Sequence, residues 1–267
     1  MNVQCRNNVK IHSDAPVTML FAHGFGCDQT MWRFIAPAFH GCYKVVTFDL
    51  VGSGGSDNSA YDRQKYASLQ GHADDLLEII DTVATGPVIF IGHSVSATIG
   101  LLASIRAPQR FAAQVMIGPS PCYINDGDYI GGFSHADIDD LLETMDSNYL
   151  GWSSSMAPVI MGAPDQPALR AELEKRFCLN DPDIARHFAK VTFLSDHRAD
   201  VPLSLTTTLI LQSSDDLIAP IQVGEFMHRN MTGSELLVIE NVGHCPHMSA
   251  PGPSSEAIGS FLSRLPG

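Results

Sequence analysis

The sequence predicts an α/β fold in which a mostly parallel central sheet carries helices on both faces. Three observations predict it. Short, fully apolar runs of strand length alternate with segments of helical period, the signature of parallel strands buried on both sides. The alternation stops across residues 123–199, where only helical periodicity is found, and it resumes afterwards. Gly- and Ser-rich turns follow several of the apolar runs, where such a sheet places its functional loops.

In chain order, Val17-Thr18-Met19-Leu20-Phe21-Ala22 reads as a strand ending at His23-Gly24-Phe25-Gly26, with a helix starting near Asp28. Tyr43 to Phe48 is the next strand, and it leads to the turn-rich run Gly52-Ser53-Gly54-Gly55-Ser56-Asp57-Asn58. Ala73, Leu76, Leu77, Ile80, Val83 and Ala84 then recur at the helical period. Pro87 to Ile91 is a buried strand that enters Gly92-His93-Ser94-Val95-Ser96 and a helix from Ala97 to Ile105; Ala112 to Ile117 is a fourth strand.

Within the insert, Ile138, Leu141, Leu142, Met145 and Tyr149 lie on one helix face, and Trp152, Met156, Val159 and Ile160 on a second. Leu169, Leu173 and Phe177 mark a third helix; Ile184, Phe188 and Val191 mark a fourth. Ser134-x-x-Asp137 has the form of a capping box, and Asp181-Pro182 pairs an N-cap with a first-turn proline. Strand signals return with Thr207 to Gln212 and Glu235 to Ile239, separated by a helix from Val223 to Met231. A last amphipathic helix carries Ile258, Phe261 and Leu262. The expected organisation is therefore a split core, 1–122 with 200–267, interrupted by the helical insert 123–199.

Charge narrows the function. The chain of 267 residues has 16 Lys and Arg against 29 Asp and Glu, a net charge of −13. That balance opposes nucleic acid and anionic lipid, whose phosphates need cationic contacts. The insert holds 13 acidic and 6 basic side chains, so it concentrates the negative charge. No stretch has the form of a signal peptide or of a membrane span. Six dispersed cysteines without a C-x-x-C pair read as reduced thiols, and the expected location is the cytoplasm.

The chemistry is concentrated at Gly92-His93-Ser94-Val95-Ser96. A strand that turns sharply into a helix needs small neighbours at the apex and lifts the apical side chain above the sheet, so Ser94 is the expected nucleophile. Ser96 departs from the glycine usual at the fifth place. A serine hydroxyl needs a base and a carboxylate to orient that base. Both follow at strand ends: Asp215-Asp216 after the strand ending near Gln212, and His244 after the strand ending near Ile239. Spacing to Pro220 favours Asp216 over Asp215, and Gly243 directly before it favours His244 over His247. Two N–H donors must hold an oxyanion. They are assigned to Val95, directly after the nucleophile, and to Phe25 in the first glycine turn. His23 and His93 are expected to be structural.

Two other readings fail. Gly52-x-Gly54 carries Asp57 where G-x-G-x-x-G needs its third glycine, and no phosphate-binding loop of the G-x-x-x-x-G-K type is present. His244-Cys245-x-His247 read as a metal pattern lacks a further ligand cluster at zinc spacing. Neither a cofactor nor a metal is expected.

With these residues in view the chain resembles the α/β-hydrolases, and more narrowly the RsbQ-type bacterial stress regulators and the plant strigolactone and karrikin receptors. The segments carrying the resemblance are Phe25-Gly26-Cys27-Asp28-Gln29, Asp49 to Gly54, Gly92 to Ala97, Pro119 to Tyr123, Asn148 to Trp152 and Gly243 to Met248. The resemblance implies a triad of Ser94, Asp216 and His244, an oxyanion hole from Phe25 and Val95, and a four-helix lid formed by residues 123–199. A pocket under that lid would take a small lipophilic ester or lactone. Phe25, Val95, Trp152, Met156, Phe188 and Phe193 are its candidate lining, although these side chains equally suit the core of the insert. The same resemblance implies an alternative role as a sensor that captures or slowly hydrolyses a small molecule and acts through a phosphatase-type protein partner at the lid.

Overall fold

A seven-stranded sheet lies at the centre of the computed structural model, which describes residues 2–265. In chain order its strands are β1 (Lys10–Ile11), β2 (Thr18–Ala22), β3 (Lys44–Phe48), β4 (Val88–His93), β5 (Phe111–Ile117), β6 (Thr208–Asp215) and β7 (Ser234–Val242). They lie side by side as β1-β3-β2-β4-β5-β6-β7, with β1 antiparallel to β3 and every other pair parallel. The chain leaves β2 on one side to make β3 and returns on the other to make β4. The carboxyl ends of β2 and β4 therefore flank a switch point, where open sheets of this kind form their crevice.

Successive residues of β2 explain why both faces must be covered. Met19 and Phe21 enter an apolar cluster with Trp32, Ile258 and Phe261, whereas Leu20 and Ala22 enter a second cluster with Leu76, Ile80, Ile99 and Leu102. Helices α2 (Gln70–Val83) and α3 (Val95–Arg106) cover the second face. A short α1 (Val3–Arg6) precedes β1. The helix expected near Asp28 is a 3-10 segment, Gln29–Phe34, whose first turn Asp28 caps by accepting from the Thr30 N–H.

Four helices separate β5 from β6: α4 (His135–Ser147), α5 (Tyr149–Met161), α6 (Pro167–Leu179) and α7 (Pro182–Phe193). Ser134 and Asp137 form the full capping box of α4, and Asp181 caps α7 with Pro182 in its first turn. Tyr149 belongs to α5 and not to the preceding helix face, because Asn148 breaks the run and accepts from the Gly151 N–H as the new cap. Val159 is exposed, off the apolar face predicted for it. Ile138, Trp152, Phe177 and Phe193 share one apolar cluster with Met19 and Phe21 of the sheet. The insert thus packs as a continuation of the core face.

The chain ends with α8 (Ile221–Asn230) between β6 and β7, then α9 (Pro246–Ser249) and α10 (Pro251–Leu262). No helix among the described residues is long and apolar enough to cross a membrane.

Candidate active site

Ser94 sits where β4 turns into α3, with φ 55° and ψ −124°. A non-glycine residue there is strained, and the surrounding structure must hold it. Its own N–H donates to the Ile117 carbonyl of β5 at 2.8 Å. A Cβ on Gly92 would lie 2.7 Å from the Ser96 carbonyl oxygen, so the turn requires glycine at that place. At the fifth place serine has a purpose of its own. The fully buried Ser96 hydroxyl donates to the His23 carbonyl and ties the elbow to the loop after β2.

His244 Nε2 lies 2.8 Å from Ser94 Oγ, and its Nδ1 lies 2.6 Å from Asp216 Oδ2. The carboxylate can only accept, so Nδ1 carries the proton and Nε2 is left to accept from the serine hydroxyl. Asp216 Oδ1 accepts from the N–H groups of Ile218 and Ala219 at 2.8 and 3.1 Å, which fixes the carboxylate plane. Asp215, its neighbour, is exposed and uses its carbonyl to accept from Gly243. His244 is anchored from the insert, because its N–H donates to the Ile160 carbonyl at 2.8 Å. Gly243, at φ 111°, permits that approach: a Cβ would stand 2.1 Å from the Met161 carbonyl oxygen. His247 is outside this chain of hydrogen bonds and is buried between the rings of Trp32 and His93.

The loop after β2 is held from three directions. His23 Nδ1 donates to the Gly24 carbonyl, and its Nε2 accepts from the Leu50 N–H. Asn180, the cap that follows α6, donates to the Gly26 carbonyl at 2.8 Å, and Arg176 of α6 pairs with Asp28. Among the described residues, the N–H groups of Phe25 and Val95 donate to no other group of the protein. The Phe25 ring is enclosed by Trp152, Phe177, Phe188 and Phe193 of the insert, at centroid distances of 5.6–6.4 Å.

A cavity of about 30 Å³ lies beside Ser94 and His244, and Phe25, Trp152, Met156 and Phe193 line it. Phe188, expected on this lining, does not reach it. It is wedged between Phe25 and His72, on the side of α7 that faces the other sheet cluster. Val95 does not line it either, because its side chain is buried in that same cluster. An open groove of about 530 Å³ adjoins the cavity, the two sharing Leu141, Trp152, Met156 and Ile218 as a common wall.

The alpha/beta hydrolase family matches residues 19–256 of the chain. The chain belongs to that family. A hydrolase from Oleispira antarctica superposes with a TM-score of 0.95 at 42% identity, covering 98% of this chain and 97% of its own. The karrikin insensitive 2 receptor CA of Petunia hybrida is 38% identical over 93% of both chains. The strigolactone esterase D14 of Arabidopsis thaliana is 35% identical over 96% of both.

In this alpha/beta hydrolase one further polar group stands at the site, Tyr123, which the sequence marks only as the end of the segment Pro119 to Tyr123. Tyr123 Oη lies 3.5 Å from Ser94 Oγ, and burial pushes the phenol up to about 12, so it stays a neutral donor. No local pattern marks it; only the fold carries it from the end of β5 to the nucleophile. The Gly52 to Asp57 turn uses its amides internally, since Ser56 Oγ accepts from Gly52 and Ser53 and the Asp49 carboxylate accepts from Gly55. Those amides are therefore not free to cradle a phosphate.

Proposed function

We propose that this chain is a serine hydrolase of small lipophilic carboxylic esters or lactones, with Ser94 as nucleophile, His244 as general base and Asp216 as its orienting carboxylate. The observation that carries the reading is the unbroken hydrogen-bond chain from Ser94 through His244 to Asp216, at 2.8 and 2.6 Å. The amides of Phe25, after β2, and Val95, the first residue of α3, donate to no other group among the described residues, which supports them as the oxyanion donors. Ser94 attacks the carbonyl carbon as His244 takes its proton, and the Phe25 and Val95 N–H groups receive the oxyanion. His244 returns the proton to the leaving oxygen, and water then releases the acyl group by the same steps. These steps run on protein groups and water alone.

An apolar lining suits a substrate without charge near the ester, and the name of the Arabidopsis relative supports including lactones. In this reading residues 1–122 and 200–267 form the catalytic core and residues 123–199 form a lid. The cavity has room for only one or two waters, so the lid must shift to admit an ester. The test is Ser94→Ala on a chromogenic short-chain ester. Turnover is expected to fall by ~10³–10⁶-fold, and intact-mass spectrometry of the wild type should capture an acyl adduct on Ser94. Undiminished turnover in the variant overturns the reading.

A second reading is favoured by the receptor name of the Petunia relative. The same site then acts as a sensor, in which ligand capture or slow hydrolysis moves the acidic lid and a protein partner of the phosphatase type reads the change, as the RsbQ resemblance implies. Single-turnover kinetics with a persistent adduct on Ser94 or His244 would support it. Rapid multiple turnover with no effect of ligand on hydrogen exchange in α4 to α7 would exclude it.

A further inference from the structure

The fold supplies what the His244-Cys245-x-His247 segment lacks by itself, a third donor from a distant part of the chain. His93, Cys245 and His247 are buried together behind the nucleophile, with one ligand atom from each lying within 4.8 Å of the others. His93 Nε2 donates to the His244 carbonyl at 2.9 Å, which leaves Nδ1 with its lone pair and no partner among the described residues. Both ring nitrogens of His247 are buried and unpartnered among the described residues, in a residue that is 0% exposed. A buried ring nitrogen without a partner is costly and calls for a ligand or an ordered water.

We propose that His93, Cys245 and His247 form a binding site for one divalent cation of the Zn²⁺ or Cd²⁺ class. Two imidazoles and a thiol are the donor set that such ions select over Mg²⁺ or Ca²⁺, which prefer oxygen. An ion amid atoms spaced at most 4.8 Å apart lies no more than about 2.8 Å from each, against ~2.0–2.3 Å for zinc bonds to nitrogen and sulfur, so a small contraction closes the site. Binding breaks the Cys245 S–H bond, forms a metal–thiolate bond and releases one proton to solvent, with no change of oxidation state. His93 and Cys245 also line the cavity beside Ser94, so an ion that enters that cavity meets two of its donors there. The contraction pulls on His244 twice, through its carbonyl on His93 and through its covalent neighbour Cys245. The ion therefore inhibits the hydrolase by moving His244 away from Ser94. That inhibitory half rests on the function proposed above; the binding half does not.

The test uses the full chain with its exposed thiols replaced, Cys5→Ser, Cys42→Ser and Cys178→Ser. Titration with Cd²⁺ is expected to raise an ultraviolet thiolate-to-metal charge-transfer band that saturates at one ion per chain, with one proton released. Cys245→Ser should abolish the band, and His247→Gln should weaken binding by at least ~10–100-fold. Circular dichroism of both variants checks that they fold. Absence of a band at one equivalent overturns the proposal, as does a band that survives His247→Gln at full affinity or one that depends on Cys27 in place of His247. Ester turnover, measured on the same samples with and without Cd²⁺, should fall with the band and recover on chelation. Turnover that is present but indifferent to bound Cd²⁺ removes the inhibitory role alone, whereas absent turnover without Cd²⁺ bears on the hydrolase reading alone.

Discussion

Asp215 and Asp216 are adjacent in sequence and opposite in surroundings. Asp216 is 6% exposed, with one carboxylate oxygen on His244 and the other on two backbone N–H groups, whereas the Asp215 side chain faces solvent. Asp216→Asn replaces an acceptor with an amide whose NH₂ can turn toward His244 Nδ1 and impose the wrong tautomer. Its kcat is expected to fall by ~10³–10⁴-fold at unchanged stability of the fold. Asp215→Asn should leave activity and stability within about 0.5 kcal/mol of wild type. Steady-state kinetics on one ester decide between them, and equal losses in the two variants would reassign the carboxylate. At this scale the sequence was informative because an elbow serine and two strand-end loops carry local signals. Tyr123 and the partners of His93 carry none, since their meaning comes from loops that meet only in three dimensions. Ser96 is intermediate: its departure from glycine is visible in the sequence, but its bond to the His23 carbonyl is not.

Among elements, the insert is coupled to the site by backbone contacts as well as by apolar side chains. The end of α5 accepts from the His244 N–H through Ile160, and Asn180, which caps the end of α6, holds the Gly26 carbonyl. Movement of either helix therefore changes the site as well as its cover. The helical period made these four helices legible, together with the caps Ser134 and Asp181. The period does not say which side of a buried helix meets a cavity, which is why Phe188 was expected on the lining and lies off it. β1 was illegible for a different reason: its two residues are exposed and pair only through backbone. The wall between cavity and groove gives a prediction at this scale. Met156 on α5 is only half-buried and belongs to both spaces. Met156→Ala should join them, raising kcat/KM for a hexanoyl relative to an acetyl ester by about 10-fold, at a cost of roughly 2 kcal/mol in stability. An unchanged ratio of the two esters would place the entry elsewhere.

For the molecule as a whole, the buried histidines set how stability responds to acid. His72 stacks on Tyr66 at 4.5 Å and meets the tilted ring of Phe188 at 4.8 Å, where α2 meets α7. Both its ring nitrogens are unpartnered among the described residues, and burial, aided by Lys65, pushes its pKa down to about 3. The unfolded chain takes up this proton below about pH 6.5 and the folded chain does not. Stability is therefore complete above the unfolded value and is lost as pH falls from there toward 3. Between pH 6.5 and 5 this one residue removes about 2 kcal/mol, a large share of the 5–15 kcal/mol typical of a folded protein. His93 and His247, also lowered by burial, act in the same direction in metal-free protein. His12 and His187 shift the same way from positions nearer solvent, and Asp28 and Asp196, held low, contribute only in stronger acid. Urea unfolding at a series of pH values, with chelator present, should show stability falling below pH 6.5 with a slope of more than one proton. His72→Phe keeps the stacking and removes the titration, so it should flatten that slope by about one proton and leave the protein at least as stable at pH 7. Parallel slopes for wild type and variant would mean that His72 is protonated in the folded state, and the α2–α7 contact would then have to be wet.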